Sequence, residues 1–220
     1  MPLTMNPSAS FCISRGQIVF IHVEKARYFT ISEGAFAAFN RLQSGTPLTA
    51  SDCIELQTLV DEDVLFTNDF GVPVRPPDLE PATASAYGLG QASLATVADA
   101  IAMQTIVRMS LRLARLARML ERIRSRRPAA TIGRDHSEFR VQQDAAKACE
   151  IARRLTVAKN QCLVTSLALM ESLARKQSYP RLVFGIKLVP FGAHCWVQAG
   201  ETVLNDTVDN VSEYTPIMVV

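Results

Sequence analysis

The stretch Asn160-Gln-Cys-Leu-Val-Thr-Ser-Leu-Ala-Leu169 places a cysteine at the start of an amphipathic helix. Val164 and Leu167 lie on one face at helical spacing, and Asn160 is a suitable N-cap residue. Cys162 therefore belongs to the first turn of the predicted helix, where unpaired backbone N–H groups and the helix dipole favour a thiolate. Because the thiolate is the reactive form of cysteine, this position predicts a nucleophile.

Two later segments supply the partners that a nucleophilic cysteine needs. His194 lies in the strand pattern Gly192-Ala-His-Cys-Trp196, and Asp206 follows a further strand and turn. Adjacent antiparallel strands would bring His194 and Asp206 together, so that the carboxylate orients the imidazole and the imidazole faces Cys162. Each residue alone is usually structural, but their joint order and setting favour a catalytic triad.

In the rest of the C-terminal half, helices come first and strands follow. Apolar residues predict a helix from Ser93 to about Arg127, a second over 139–158 and a third from about Cys162. The first helix carries an apolar seam at spacings of three and four residues, formed by Ile106, Met109, Leu113, Leu116, Leu120 and Ile123. Strands of a mostly antiparallel sheet are predicted over 182–189, 193–197 and 202–204. This order is typical of the α+β class.

Arginines accompany this seam on the first helix, at Arg108, Arg112, Arg115, Arg118 and Arg122. We interpret them as a solvated face that also docks other helices, because arginine is a good helix former and its stem covers apolar surface. The alternatives are a docking face for a partner protein, and binding of nucleic acid or of an anionic membrane surface.

Residues 1–70 predict a small winged-helix-like unit. Its predicted elements are strands over 18–23 and 27–31, a helix capped by Ser32 and ending before Gly45, a second helix capped within 49–51, and a short strand over 64–66. The unit is acidic, whereas a DNA-reading winged helix should be basic, so the pattern disfavours nucleic-acid binding.

Residues 71–90 contain Pro73, Pro76, Pro77 and Pro81. Prolines this dense disfavour a regular element and predict a semi-rigid linker. The predicted organisation is therefore an N-terminal domain over 1–70, the linker over 71–90 and a C-terminal domain over 91–220.

Composition and charge exclude several classes of protein. With 48% hydrophobic and 20% charged residues, the 220-residue chain is not disordered or low-complexity. Residues 1–100 carry 5 basic and 11 acidic side chains, and residues 101–160 carry 14 and 5, which suggests parts with different roles. The five cysteines are irregularly spaced and include no Cys-x-x-Cys pair, which disfavours a disulfide framework and a zinc site.

The sequence also bears on location and cofactors. The N-terminus lacks the basic start and apolar run of a signal peptide, and the most apolar stretch, Leu94 to Ile123, is interrupted by charged residues. We therefore expect a cytoplasmic protein without stable membrane insertion. His22 and His136 have no companions at metal-ligand spacing, and the sequence has no phosphate-loop motif, so we expect neither metal nor cofactor.

Four segments around the candidate triad resemble the lasso peptide biosynthesis B protein, a transglutaminase-like cysteine leader peptidase. They are Cys162-Leu-Val-Thr-Ser-Leu-Ala-Leu169, Val183-Phe-Gly-Ile-Lys187, Pro190-Phe-Gly-Ala-His-Cys-Trp-Val197 and Leu204-Asn-Asp206. The N-terminal segments Gly16-Gln-Ile-Val-Phe20 and Arg27-Tyr-Phe-Thr-Ile-Ser32 resemble the leader-recognition domain of ribosomal-peptide pathways, which is similar to the pyrroloquinoline-quinone chaperone fold. Both parts in one chain are similar to the fused, proteobacterial-type B proteins.

The resemblance implies a papain- or transglutaminase-like protease domain and a specific reaction. Cys162 would be the nucleophile, His194 the general base and acid, and Asp206 the orienting carboxylate. The enzyme would bind the leader of a lasso precursor and hydrolyse the leader–core amide. The freed core N-terminus would then pass to an ATP-dependent, asparagine-synthetase-like cyclase. The family usually has a small residue where this chain has Cys195, whose side chain must point away from His194.

The strand over 27–31 offers an edge that an extended leader peptide could join by β-augmentation. Phe29 is expected to pack the small core, which leaves Tyr28 and Thr30 on the other face of the strand. We predict that Arg27, Tyr28 and Thr30 contact the leader. The acidic surplus of this half would suit a leader that carries lysine or arginine.

Two other functions use the same residues differently. An acyltransferase or transglutaminase-like enzyme would share the Cys-His-Asp order, although arylamine acetyltransferases would want Arg-Gly-Gly before the cysteine, where this chain has Asn160-Gln161. A leader-binding scaffold or DNA-binding regulator would have a coincidental triad.

Overall fold

The computed structural model describes residues 3–67, 71–113, 116–127, 136–156 and 161–220. The chain divides into two compact units, Met1–Asp78 and Leu79–Val220. Strands and helices make up the first unit, and helices followed by strands make up most of the second. The predicted α+β class is confirmed.

The first unit contains five strands and two helices. They are β1 (Leu3–Met5), β2 (Ala9–Ser14), β3 (Gln17–His22), β4 (Arg27–Thr30), α1 (Glu33–Gln43), α2 (Ala50–Asp61) and β5 (Leu65–Thr67). Strands β2, β3 and β4 form one antiparallel sheet in that order, and β1 pairs with β5. The predicted hairpin, both helices and the returning strand are confirmed to within one or two residues.

Strands β1 and β2 were not predicted. Strand β2 joins β3 through a two-residue turn at Arg15 and Gly16, both of which have positive φ. This is the backbone geometry of a tight hairpin, and a glycine before an apolar run is its usual signal. Ala9, Phe11 and Ile13 alternate with Ser10, Cys12 and Ser14, which is the period-two pattern of a strand, and all six residues pair with β3.

Aromatic rings fill the core of the first unit. Phe11 and Phe20 contact Phe39 of α1 edge to face, with ring centroids 4.9 and 5.1 Å apart. Phe29 of β4 stacks on Phe20 at 5.4 Å, as expected for a residue that packs the core. Thr49 and Asp52 form a capping box at the start of α2. The capping box stabilises the start of α2, and the aromatic cluster holds α1 against the sheet.

The second unit contains five helices and five strands within the described residues. They are β6 (Ala84–Ser85), α3 (Leu94–Leu113), α4 (Leu116–Arg126), α5 (His136–Leu155), α6 (Gln161–Arg175), β7 (Arg181–Leu188), β8 (Phe191–Ala199), β9 (Thr202–Val203), α7 (Val208–Ser212) and β10 (Thr215–Val219). The strand order is β10-β7-β8-β9-β6. Helix α3 packs against α5 and α6, and α6 packs on β8 at the centre of the sheet. Residues 128–135 and 157–160, with Pro128 and the predicted N-cap Asn160, lie outside the described residues.

The predicted apolar seam is wrong for α3. Ile106 is 53% exposed and Leu113 is 79% exposed, whereas Leu120 and Ile123 of α4 are buried as predicted. The buried face of α3 is a neighbouring stripe, formed by Val97, Ala100, Met103, Gln104 and Val107. Gln104 of this stripe donates a buried 3.1 Å hydrogen bond to the carbonyl of Cys149 in α5, which helps to turn the stripe towards α5 and α6, the packing partners of α3. By length and composition alone, α3 is also apolar enough to cross a membrane, and 28% of its most apolar 18-residue stretch is buried in the fold.

The proline-rich segment 71–90 is more ordered than a linker. Ala84–Ser85 pairs in parallel with β9 at the edge of the sheet, which corrects the expectation that the prolines exclude any regular element. Gln198 of β8 donates a 2.7 Å hydrogen bond to the carbonyl of Glu80. Two residues that are not proline suffice for an edge strand, so the pairing avoids the missing N–H of Pro81.

Gly185 in β7 gives a test of this packing. It lies opposite His194 of β8, and an added Cβ would come within 2.7 Å of the Trp196 ring and 2.9 Å of Tyr214 Cβ. We expect Gly185→Ala to lower the free energy of unfolding by about 1–3 kcal/mol because both aromatic residues must move. Chemical denaturation followed by the fluorescence of Trp196, the single tryptophan, measures the change.

Gly192→Ala is the matched control on the same hairpin. Its Cβ would meet the flexible Lys187 side chain at 3.3 Å and the Tyr214 ring at 3.8 Å, an ordinary contact distance. We expect this variant to keep the wild-type unfolding curve and emission spectrum. Equal stability of the two variants would contradict the packing described around Gly185.

Candidate active site

Helix α6 presents the candidate nucleophile at its N-terminus. Cys162 is the second residue of the helix and is half-buried. Burial by itself would raise the pKa of its thiol, but a hydrogen bond and the positive charge of His194, with the backbone N–H groups of Leu163 and Cys195, outweigh burial and lower the pKa. The sulfur is therefore held by donors that stabilise its anion.

His194 and Asp206 form the second contact of the site. His194 Nε2 lies 2.6 Å from Asp206 Oδ2, which leaves Nδ1 as the ring nitrogen for Cys162. Burial would lower the pKa of His194, but the hydrogen bonds to Asp206 and Cys162 and their negative charges raise it to about 9. The imidazole is therefore positively charged at neutral pH when Cys162 is a thiolate.

The turn after β9 holds the Asp206 carboxylate. Burial would raise the pKa of Asp206, but the His194 interaction, the Thr207 N–H at 2.8 Å and the Asn210 amide together lower it. Asn210 Nδ2 donates to Asp206 Oδ2 at 3.0 Å and lies 3.5 Å from His194 Nε2. Asn210 belongs to α7, a five-residue helix that the sequence analysis missed because it is too short to show periodicity.

A residue of the proline-rich segment also supports this turn. Ser85 Oγ donates to the Asp206 carbonyl at 2.6 Å and accepts a hydrogen bond from the Tyr87 N–H at 3.0 Å. Nothing in the local sequence points to this role, because the partners are 121 residues apart.

Aromatic rings surround the imidazole. Trp196 lies two residues along β8, and its ring stacks with His194 at a centroid distance of 6.0 Å. Tyr214 lies 5.1 Å from His194, and Lys187 sits over the Tyr214 ring at 5.1 Å. These rings limit the rotation of His194 and keep it directed at its two partners.

A family model for the transglutaminase-like superfamily matches residues 103–219. The chain belongs to this superfamily. Members are generally cysteine-protease-like enzymes, and the matched region contains Cys162, His194 and Asp206. No curated protein and no solved structure matches the chain.

Other cysteines of this transglutaminase-like protein are in different environments. Burial raises the pKa of Cys12 and Cys149 to about 12 and that of Cys195 well above the ordinary value. Cys195 is 3% exposed and its thiol contacts Ser166 of α6, on the face of β8 away from the His194 ring. Cys53 is exposed on α2. Burial thus keeps the second thiol near the site protonated.

The side chain of Gln161, the residue before Cys162, has a partner away from the reactive sulfur. Gln161 Nε2 donates to the carbonyl of Thr156 at 2.8 Å. Its side chain therefore holds α6 against the end of the preceding helix. Among the described residues, no group of three His, Cys, Asp or Glu side chains is arranged to hold a metal ion.

The three predicted leader contacts lie on β4 of the first unit. Arg27 forms an ion pair with Glu62 and lies over the Phe29 ring at 4.9 Å. Tyr28 is half-buried and Thr30 is exposed. Strand β4 is the last strand of its sheet, so its outer edge has no strand partner among the described residues. Arg27 therefore has a structural role whether or not it also contacts a peptide.

Selective alkylation tests the electrostatics of the site. With iodoacetamide at about pH 6, we expect Cys162 to react faster than the more exposed Cys53, because only a thiolate reacts and His194 stabilises it. Peptide mass spectrometry of the full chain gives both rates. Below the Cys162 pKa the sulfur protonates and its rate falls towards that of Cys53.

His194→Ala should slow Cys162 alkylation at this pH about tenfold or more, since it removes the charge and the hydrogen bond that lower the pKa. The rate at Cys53 serves as the internal control and should not change. Equal reaction of Cys162 and Cys53 in the wild-type protein would show that the thiolate is not stabilised.

Proposed function

We propose that this protein is a cysteine peptidase that removes the leader from a lasso peptide precursor. The observation that carries the proposal is the contact of Cys162 with His194, together with the 2.6 Å contact of His194 with Asp206, at the N-terminus of α6. A depressed thiol pKa beside a raised imidazole pKa is the pattern of an activated nucleophile with its acid–base partner. Membership of the transglutaminase-like superfamily supports the same chemistry.

The choice of a lasso precursor as substrate rests on the sequence resemblance. The segments around Cys162, His194 and Asp206 resemble the leader peptidase, and residues 16–32 resemble a leader-recognition domain. A small unit with an exposed strand edge, separate from the unit that holds the triad, is compatible with this division of labour.

In the first half of the reaction, the Cys162 thiolate attacks the carbonyl carbon at the leader–core junction. The backbone N–H of Cys162, at the start of α6, would stabilise the oxyanion of the tetrahedral intermediate. As the C–N bond breaks, the His194 imidazolium gives its Nδ1 proton to the leaving amine. The core peptide departs with a free N-terminus, and the leader remains as a thioester on Cys162.

In the second half, water hydrolyses the thioester. His194, now neutral, takes a proton from the attacking water, and Asp206 stabilises the imidazolium that forms again. The leader leaves as a carboxylic acid, which loses its proton to solvent, and the thiolate–imidazolium pair is restored. Each turnover therefore consumes one water and needs no cofactor.

The leader would bind along β4 of the first unit. An extended peptide can add to the outer edge of this strand through backbone hydrogen bonds, with Tyr28 and Thr30 as side-chain contacts and Arg27 beside them. The freed core would be the substrate of an ATP-dependent, asparagine-synthetase-like cyclase acting in the cytoplasm as the partner enzyme.

Cys162→Ala provides the direct test of the peptidase. With a synthetic lasso precursor peptide that the wild-type protein cleaves as substrate, we expect no cleavage product by mass spectrometry, because the variant has no nucleophile. Leader affinity, measured by fluorescence anisotropy of a labelled leader peptide, should remain within twofold of wild type. Cys53→Ala is the matched control and should cleave at the wild-type rate.

Two results would contradict the proposal. Cleavage by Cys162→Ala would exclude this cysteine as the nucleophile. If the wild-type protein instead transferred the acyl group to an added amine and produced no free acid, the transferase alternative would replace hydrolysis.

Tyr28→Ala separates binding from chemistry. We expect it to weaken leader binding about fivefold to fiftyfold, since it removes an aromatic contact worth roughly 1–2 kcal/mol. Alkylation of Cys162 should keep its wild-type rate. Ile13→Ala, at an exposed position on the opposite edge strand β2, is the control and should bind normally. Equal effects of the two variants would argue against β4 as the leader site.

A further inference from the structure

Ser166 is a fully buried hydroxyl beneath the triad, and the proposed mechanism does not use it. It lies one helical turn after Cys162 on α6 and is 0% exposed. Its Oγ donates to the carbonyl of Cys195 at 3.0 Å and accepts a hydrogen bond from Asn205 Nδ2 at 2.9 Å. One hydroxyl thus joins α6, strand β8 and the turn after β9.

Each partner of Ser166 is next to a triad residue in sequence. Cys195 follows His194, and Asn205 precedes Asp206. The remaining amide oxygen of Asn205 accepts the Val197 N–H at 2.8 Å, so both ends of this side chain are held. Reversing the Asn205 amide would lose both hydrogen bonds, and this fixes its orientation.

Cys195 links this network directly to the reactive sulfur. Its carbonyl accepts from Ser166, and its N–H is one of the two backbone donors that hydrogen-bond the Cys162 sulfur. A shift of the Cys195 backbone would therefore change the donor geometry at Cys162. The same shift would move His194, the preceding residue on the strand.

We propose that Ser166 and Asn205 are positioning residues that set the mutual placement of Cys162, His194 and Asp206. Neither residue contacts the substrate in this proposal. This inference rests on the proposed function, since it concerns the thiolate of the same site. It goes beyond the triad in that buried hydrogen bonds, rather than packing alone, fix the distance between the helix and the two strands.

Ser166→Ala tests the inference without a substrate. The pH dependence of iodoacetamide alkylation at Cys162 in the full chain reports the apparent pKa of its thiol. We expect the pH profile of the variant to shift upward by about one pH unit. At about pH 6 the alkylation rate of Cys162 should therefore fall about tenfold. Asn205→Ala should shift the profile in the same direction. It replaces Ser166→Ala as the test if the serine variant does not fold.

Ser178→Ala is the matched control. Ser178 is 2% exposed in the same unit, and its hydroxyl likewise makes two hydrogen bonds, with Gln142 and Glu138, both at 2.9 Å. Its loss should lower stability by a similar amount while leaving the Cys162 profile unchanged. A purely structural role for Ser166 would make the two serine variants alike.

The outcomes distinguish this inference from the proposed function. A wild-type profile in both Ser166→Ala and Asn205→Ala, or an equal shift in Ser178→Ala, would overturn the positioning role while the reactive thiolate remains. If wild-type Cys162 reacts no faster than Cys53 at about pH 6, the proposed function itself fails.

Discussion

The ion pair of His194 and Asp206 is the interaction on which the site depends. A thiolate at Cys162 is partly removed from water, so burial opposes it, and a charged imidazole has to compensate. That imidazole is itself half-buried, which lowers its pKa, and the Asp206 carboxylate at 2.6 Å is, with Cys162, one of the two partners that raise it. The Asp206 carboxylate therefore stabilises the His194 imidazolium, which in turn stabilises the Cys162 thiolate. Removing the carboxylate would make the thiolate less stable although the two groups are not in contact.

The fold of the second unit serves to bring these three groups together. The N-terminus of α6 lies against the central strand β8, so that the backbone N–H groups of Leu163 and Cys195 meet at one sulfur. Alternation along β8 separates His194 from the buried thiol of Cys195, and a neighbouring glycine in β7 leaves room for the rings of Trp196 and Tyr214. On one face of β8, burial thus keeps the Cys195 thiol unreactive. On the other face, aromatic contacts keep the His194 imidazole oriented.

Residues whose role follows from local pattern could be predicted from the sequence. Helix spacing and strand alternation located Cys162 on α6 and His194 on β8, and a turn after a short strand located Asp206. Contacts between distant segments could not be predicted in this way. Asn210 lies on a helix too short to have a period, and the apolar seam of α3 failed because two stripes compete and only the packing partners decide between them.

The proline-rich segment shows where the structural unit differs from the family match. The match begins at residue 103, but the compact unit begins at Leu79. Ser85 holds the Asp206 carbonyl, and the carbonyl of Glu80 accepts from Gln198, whose own oxygen accepts the Trp196 indole N–H at 3.0 Å. Two residues before the matched region therefore support the site. Ser85 hydrogen-bonds Asp206 directly, and Glu80 holds, through Gln198, the Trp196 ring that lies beside His194. Because prolines limit the conformations of this segment before it pairs, ordering it along the sheet edge costs less entropy than ordering a flexible chain.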